Sequence, residues 1–285
     1  MLAPDAPAPI RRIRFDYPAD TKPVWTPNRP EFSCAANSIS LLMPSIEPYF
    51  VRSVRSAIPE LPAERASVCQ AYVAQEAQHH RQHVRFNKIL IEAYPALATV
   101  DSLADRCYRG VESRRSAQFS RAFAAGSETI AYSAARWAAA NRVELFGSAD
   151  EVPASLFLWH LAEEVEHKSV AHDVYWELYR TRRLARTRLA AATVVSLLML
   201  VVFVAMGTTA MLWAERRLHR PMSWFHLTRW GIGFAFELLS NLAMSLLPSH
   251  HPNDFTDPTW YEVWLQEYDA EDGTLPIWTQ AAKHS

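Results

Sequence analysis

Two stretches of the chain place acidic residues and histidines at helical spacing. The first is QEAQHHRQHVRFN at residues 75–87, and the second is WHLAEEVEHKSVAHDVY at residues 159–175. Each contains a Glu-x-x-His pair, Glu76 with His79 and Glu164 with His167. Residues three apart share a face of an α-helix, so each pair can direct a carboxylate and an imidazole to one point. Carboxylates and imidazoles together are typical ligands of transition metals.

Two further glutamates lie in apolar helical segments, where an unpaired carboxylate is costly to bury. Glu47 lies in LLMPSIEPYFVRSVR, and Glu128 lies in GSETIAYSAARW. Two Glu-x-x-His helices and one glutamate from each of two other helices form the ligand set of ferritin-like di-iron and di-manganese bundles. Four carboxylates and two neutral imidazoles match the charge of two divalent ions. We therefore predict a dinuclear metal site with the ligands Glu47, Glu76, His79, Glu128, Glu164 and His167.

Two more histidines share the predicted metal face. His83 lies four residues after His79, and His160 lies four residues before Glu164. At this spacing each imidazole points to the same side of its helix as the Glu-x-x-His pair. Three roles stay open for both: a third imidazole ligand, a donor that orients a ligating carboxylate, or a core histidine bonded to a backbone carbonyl.

The acidic residues beside the second pair can be ranked by their position on the helix. Glu163 is a rival of Glu164 as a ligand, because residues 160, 163 and 167 also form a helical stripe. We favour Glu164. Asp173 is a candidate acceptor for an imidazole N–H, whereas Glu166 and His80 point away from the predicted face and are expected to be solvated.

The elements that must position these residues are predicted to be helices. Glycine is scarce, at 7 of 285 residues, and no alternating strand pattern precedes an Asn-Gly or Asp-Gly turn. We predict helices that follow Pro44, with Pro48 in the first turn, and that cover 62–94, 98–113, about 116–147 and about 150–180. The predicted fold is all-α, a ferritin-like four-helix bundle with additional C-terminal apolar helices.

The chain divides into four predicted segments: an extended arm at 1–34, the metal-binding bundle at 35–185, apolar helices at 186–250 and a polar tail at 251–285. Residues 190–214 contain no charged side chain and are long enough to cross a bilayer. Arginines flank this stretch on both sides, so the positive-inside rule gives little preference for which end would face the cytoplasm. A membrane-embedded or membrane-docked helix is favoured over a buried central helix or the wall of an apolar tunnel.

Composition narrows the partners and the compartment. The net charge of −1 argues against a nucleic-acid partner. Cys34, Cys69 and Cys107 include no CxxC pair, which is typical of a reducing compartment. The Pro-rich N-terminal stretch has no apolar segment typical of a signal peptide. We expect a cytoplasmic protein, with attachment to the inner membrane through 190–214 and a homodimer both left open.

The stretches ISLLMPSIEPYFVRSVR, QEAQHHRQHVRFN and WHLAEEVEHKSVAHDVY resemble a bacterial family of predicted metal-dependent hydrolases. The resemblance covers residues from about 10 to 180. It implies a ferritin-like helical bundle followed by an apolar segment.

Three functions are compatible with the predicted site. The favoured prediction is a di-iron oxidase or oxygenase, in which two Fe ions activate O₂ to oxidise a hydrophobic small molecule or lipid, with the electron donor unidentified. It is favoured because four-helix carboxylate sites serve redox chemistry more often than hydrolysis, which is an argument from fold analogy. The alternative is a dinuclear metal-dependent hydrolase, and the second alternative is a non-catalytic, membrane-associated metal-binding bundle. Mn and Zn are alternatives to Fe.

Overall fold

A computed structural model describes residues 6–245 and 251–270, and all regular secondary structure within them is helical. This confirms the all-α prediction. Residues 6–29 form an arm without regular structure. The α-helices in the described residues are α1 (Pro30–Arg55), α2 (Ala63–Ala93), α3 (Leu97–Arg114), α4 (Ala117–Ala140), α5 (Arg142–Phe146), α6 (Glu151–His167), α7 (Val170–Tyr179), α8 (Ala185–Ala214), α9 (Pro221–Ser245) and α10 (Thr259–Ala270).

Four of these helices enclose a common interior. Helix α1 packs along α2 and α4, α6 packs on α4, and α2 and α6 also touch. Because each helix brings a largely buried face to this interior, the side chains that point inward are removed from water. The predicted ligands lie on these four helices. The finer assignment to the ferritin-like group stays a prediction.

Helix α1 begins earlier than predicted. It starts at Pro30, inside the predicted arm, and contains both Pro44 and Pro48, whereas we predicted a helix start after Pro44. A proline inside a helix leaves the carbonyl four residues earlier without its usual N–H donor. At Pro44 this is the Ser40 carbonyl, and the side chain of Asn87 on α2 donates to it at 2.8 Å. A contact from a distant part of the chain thus compensates for the proline.

Two predicted helices are each interrupted once. Helix α4 ends at Ala140, where the Asn141 side chain donates to the Trp137 carbonyl at 2.8 Å, and the short α5 follows. The predicted helix over 150–180 is divided into α6 and α7 at Lys168 and Ser169. The second Glu-x-x-His pair therefore lies in the last turns of α6 rather than in the middle of a helix.

Helix α8 packs against α1 and α4 through small side chains. Gly126 of α4 lies so close to Thr193 that an added Cβ would fall 2.2 Å from the threonine hydroxyl oxygen. The hydroxyls of Ser127 and Ser196 lie 2.6 Å apart. Small residues allow close approach of helix backbones, and their hydroxyls pair across the contact. The opposite face of α8 is exposed, so the alternative of a fully buried central helix is wrong.

Among the described residues, α8 is the one helix that is long and apolar enough to cross a membrane. Only the length and the apolar composition of α8 indicate that it could cross a membrane. Helix α9 packs mainly on α4. Residues 252–254 form a short 3₁₀ turn before α10.

Candidate metal centre

The six predicted ligands meet in the interior of the bundle. Helix α1 contributes Glu47, α2 contributes the Glu76 and His79 pair, α4 contributes Glu128, and α6 contributes the Glu164 and His167 pair; none of the six residues is more than 6% exposed.

Donor atoms from the two Glu-x-x-His pairs converge at one point. One donor atom from each of the four residues lies within 4.8 Å of the others. The Nδ1 atom of His167 is 2.9 Å from Oε1 of Glu76 and 3.9 Å from Oε1 of Glu164. The Nδ1 atom of His79 is 3.7 Å from Oε1 of Glu76 and 3.9 Å from Oε1 of Glu164. This convergence from two helices is the geometry that a shared metal ion requires.

Several of these donor atoms are buried without a hydrogen-bond partner. They are both carboxylate oxygens of Glu47, Oε2 of Glu128 and Nδ1 of His79. Oε1 of Glu76 and Nδ1 of His167 have only each other as a close polar neighbour, at 2.9 Å. Buried polar atoms in folded proteins nearly always have a partner, and each one without a partner is costly. Unpartnered oxygens and nitrogens in the bundle interior therefore fit bound cations. Glu76, His79, Glu164 and His167 form one group able to hold an ion, and Glu47 lies in a second group with His83 and His160.

The electrostatics of the cluster also calls for positive charge. Burial, followed by the nearby carboxylate of Glu76, raises the pKa of Glu47 well above its ordinary value. Burial and the carboxylates of Glu164 and Glu76 do the same for the pKa of Glu128. Burial would raise the pKa of Glu76 as well, but the adjacent imidazoles lower it. Divalent cations would relieve this repulsion and allow all the carboxylates to ionise.

The two histidines of the pairs are oriented through their outer nitrogens. Nε2 of His79 lies 2.9 Å from Oε2 of Glu163, and Nε2 of His167 lies 3.1 Å from Oε1 of Gln75. These contacts leave each Nδ1 directed toward the cluster. Hydrogen bonds of this kind fix the tautomer and the ring orientation of a metal-binding histidine. They also distinguish the rival glutamates, because Glu163 supports His79 while Glu164 faces the cluster.

Arg11 of the N-terminal arm joins the two supporting residues. Its guanidinium donates to Oε1 of Glu163 at 3.1 Å and to both oxygens of Glu166 at 2.9 and 2.7 Å. Glu166 also accepts from Gln75 at 2.7 Å and from Tyr261 at 2.9 Å. The prediction that Glu166 is solvated is wrong, because its side chain is only 2% exposed. The arm thus closes a polar ring that runs behind the two histidines.

His83 and His160 have both ring nitrogens occupied. Asn87 accepts from the Ser40 hydroxyl at 2.7 Å, so the Ser40 oxygen is left to accept from Nδ1 of His83, also at 2.7 Å. His83 is neutral, since burial and His160 lower its pKa well below the ordinary value. Its Nε2 accepts from Nδ1 of His160 at 2.6 Å. Nε2 of His160 remains, 2.8 Å from Oε1 of Glu164.

Asp173 lies in a different cluster. Its carboxylate accepts from Arg65 at 2.6 Å and from His251 at 2.7 Å, and His172 is 3.3 Å away. None of these contacts reaches an imidazole of the six-residue centre. The structure therefore gives Asp173 the role of tying the tail segment at His251 to α7.

Three residues that contact the centre or the residues supporting it were not found from the sequence. The Tyr72 hydroxyl donates to Oε1 of Glu128 at 2.5 Å. Tyr72 precedes Glu76 by four residues, so helical spacing could have identified it. Arg11 and Gln75 gave no such signal, because the arm has no periodic structure and Gln75 is one of several polar residues on α2.

The fold and the centre together define a helical protein with a buried carboxylate–histidine site able to bind metal ions. A family model described as "Predicted metal-dependent hydrolase" matches residues 9–255. The chain belongs to this family of predicted metal-dependent hydrolases. No curated protein and no solved structure is detectably similar to the chain.

The family match corrects the favoured functional prediction. We predicted a di-iron oxidase or oxygenase, and this is wrong, because the matching family is one of predicted hydrolases. The dinuclear hydrolase that was the alternative is favoured instead. The argument for redox chemistry rested on what other four-helix carboxylate proteins do, and a fold does not determine a reaction. Metal dependence was predicted correctly, while the choice of iron is not supported over other metals.

Proposed function

We propose that the protein is a dinuclear metal-dependent hydrolase. Its ligands would be the six carboxylate and imidazole side chains that converge in the bundle. The observation that supports this proposal is the set of buried carboxylate and imidazole donors contributed by four helices, several of which have no hydrogen-bond partner. Bound divalent ions would lower the pKa of a water molecule and stabilise charge that develops on the substrate.

The donor set constrains the metal without selecting one ion. Four carboxylates and two imidazoles suit iron, manganese or zinc, whereas calcium and magnesium prefer oxygen ligands alone. The four carboxylates balance two divalent charges, which supports two ions rather than one.

The residues around the ligands have separate tasks. Glu163 and Gln75 hold the two ligating imidazoles in the tautomer that presents Nδ1 inward. His160 carries no unpartnered nitrogen, and its Nε2 is placed to hold or pass a proton beside Glu164. His83 and Ser40 fix the other end of that hydrogen-bonded chain. We therefore assign His79 and His167 to the metals and His160 to proton transfer.

Metal loading combined with hydrolysis tests this function. The full chain is loaded separately with Zn²⁺, Mn²⁺ and, anaerobically, Fe²⁺, and is assayed on nitrophenyl acetate, nitrophenyl phosphate and bis-nitrophenyl phosphate. About two ions per chain and hydrolysis that depends on the metal are expected. Glu76→Ala should lose both, while Glu92→Ala, on an exposed position of the same helix, should lose neither.

The role of His160 is tested in the same assay. His160→Asn should keep the full metal content and reduce turnover by about 10²–10⁴-fold, as expected for a residue that transfers a proton. Full metal content in Glu76→Ala would reject the proposed site. Tight binding of two ions without hydrolysis of any substrate would instead support the non-catalytic metal-binding bundle.

A further inference from the structure

One face of α8 exposes a continuous row of uncharged side chains. Its large members are Val194, Leu198, Val201, Val202, Met206 and Trp213, with exposures between 36% and 68%. At about 100° per residue these positions fall within an arc of about 140°. The opposite face packs on α1 and α4. An apolar row of this length on the surface of a folded protein marks a contact with something else.

Both ends of the row carry features of a membrane interface. Around the start of α8, Arg182, Arg183 and Arg186 are exposed. After its end, Arg216 and Arg220 are exposed, and the exposed Trp213 lies beside them. Arginines pair with anionic lipid headgroups, and tryptophan prefers the boundary between headgroups and hydrocarbon.

The first turn of α9 continues this pattern. Met222, Trp224 and Phe225 are exposed there at 61%, 49% and 59%. The link from α8 to α9 is only six residues long, 215–220, so these side chains follow Trp213 closely. Apolar and aromatic side chains next to arginines are typical of segments that lie in the interfacial plane.

Packing disfavours an α8 that crosses the bilayer. Helix α8 runs along α1 and α4, and it also contacts α3. A spanning α8 would draw these neighbours into the hydrocarbon, including α3 with the exposed Arg106 and Arg109. Charged side chains inside the hydrocarbon are strongly unfavourable. An orientation parallel to the surface buries the apolar row and leaves the polar faces of the bundle in water.

We propose that the protein docks on a bilayer that contains anionic lipids, with α8 lying parallel to the membrane surface. The apolar row of α8 and the first turn of α9 enter the interface, and the flanking arginines bind headgroups. This inference does not depend on the proposed hydrolase activity, because none of the docking residues belongs to the metal centre.

Vesicle flotation tests the docking. The full chain is mixed with vesicles of phosphatidylcholine alone or of phosphatidylcholine with phosphatidylglycerol. We expect stronger binding to the anionic vesicles and a decrease with added salt. Val202→Asp should weaken binding about tenfold or more. Val143→Asp is the matched control, since Val143 is similarly exposed, at 58% against 51% for Val202, but lies on α5.

Leu198→Asp serves as a second variant if Val202→Asp does not fold, as judged by circular dichroism. Equal binding of Val202→Asp and Val143→Asp would overturn the docking surface. Failure of the unmodified chain to bind anionic vesicles would also overturn it. Sedimentation would then show whether a second copy of the chain covers this face instead.

The orientation of α8 has its own test. Cysteines are introduced at exposed positions just beyond the two ends of the helix, as Thr181→Cys and His219→Cys, and intact vesicles with bound protein are treated with a membrane-impermeant maleimide. Docking predicts that both positions react from the outside, above the background of the unmodified chain. Protection of one end would show that α8 spans the bilayer and would overturn the proposed orientation.

Discussion

Replacement of Glu47 by an apolar residue of similar size should stabilise the metal-free protein. Glu47 is 2% exposed, and neither of its carboxylate oxygens has a hydrogen-bond partner. Without metal this carboxylate loses hydration and gains nothing in return. Glu47→Met removes the unpartnered oxygens and keeps the interior filled.

The size of the effect follows from the cost of unpartnered buried atoms. A buried polar group without a partner costs about 1–3 kcal/mol, and a charged group costs more. We therefore expect Glu47→Met to raise the free energy of unfolding of the metal-free protein by about 2 kcal/mol. At about 2–4 °C per kcal/mol for a chain of this size, the midpoint should rise by about 4–8 °C.

Added metal should reverse the relative stability of Glu47→Met and the unmodified chain. A ligand present at 100 times its Kd stabilises the folded state by about 2.7 kcal/mol per site. Glu47→Met should lose at least one of these sites, so the unmodified chain becomes the more stable protein once Zn²⁺ or Mn²⁺ is added. Thermal unfolding of both proteins, measured with chelator and with excess metal, shows the reversal directly.

The reversal separates a ligand from an ordinary core residue. Glu177→Met, on an exposed position of α7, should change stability by no more than about 0.5 kcal/mol under either condition. Glu47 is not a metal ligand if Glu47→Met destabilises the metal-free protein, or if metal stabilises this variant as much as the unmodified chain.

Three further predictions concern the surroundings of the centre. Glu163→Gln should weaken metal binding by about 10–100-fold in chelator competition, because it loosens the support of His79. Gly126→Ala should destabilise the fold by about 1–3 kcal/mol, since the new methyl would lie 2.2 Å from a side-chain oxygen of α8. At pH values below about 6.5, His251→Gln should lower the thermal midpoint relative to the unmodified chain. This deficit should shrink as the pH rises above that range. The reason is that the hydrogen bond to Asp173 raises the pKa of His251, so the stabilisation from the protonated ring is lost above its folded pKa.

Each of these has a matched control. Glu177→Gln should leave metal affinity unchanged. Gly231→Ala, where an added Cβ would meet nothing within 4 Å, should be neutral or stabilising by about 0.5–1 kcal/mol. His219→Gln, at an exposed position, should show no pH-dependent deficit. Variants that behave like their controls would contradict the assigned contacts.

The candidate metal centre could be predicted from the sequence because the spacing of its residues is local information. A spacing of three residues places Glu76 with His79 on one helical face whatever the rest of the chain does. The apolar surroundings of Glu47 signalled a carboxylate that would be buried. The same local logic favoured Glu164 without excluding Glu163, because both lie near the inner face of the helix.

The remaining features depend on contacts between distant residues. Arg11 reaches Glu163 across 152 positions, and no periodicity in the arm predicts that contact. The continuation of α1 through Pro44 depends on Asn87, a residue of the next helix. The reaction class also lay outside local patterns, because the same ligand set occurs with different chemistries. Sequence spacing thus predicted the donors, and the packed structure assigned their partners.

The central claim is that the four-helix cluster binds two metal ions. Its most direct test is the metal content of the full chain purified without chelators, measured by mass spectrometry beside Glu76→Ala and Glu92→Ala. We predict about two divalent ions per chain for the unmodified protein and for Glu92→Ala, and loss of metal from Glu76→Ala. A folded, unmodified chain that neither carries nor takes up metal would contradict the account.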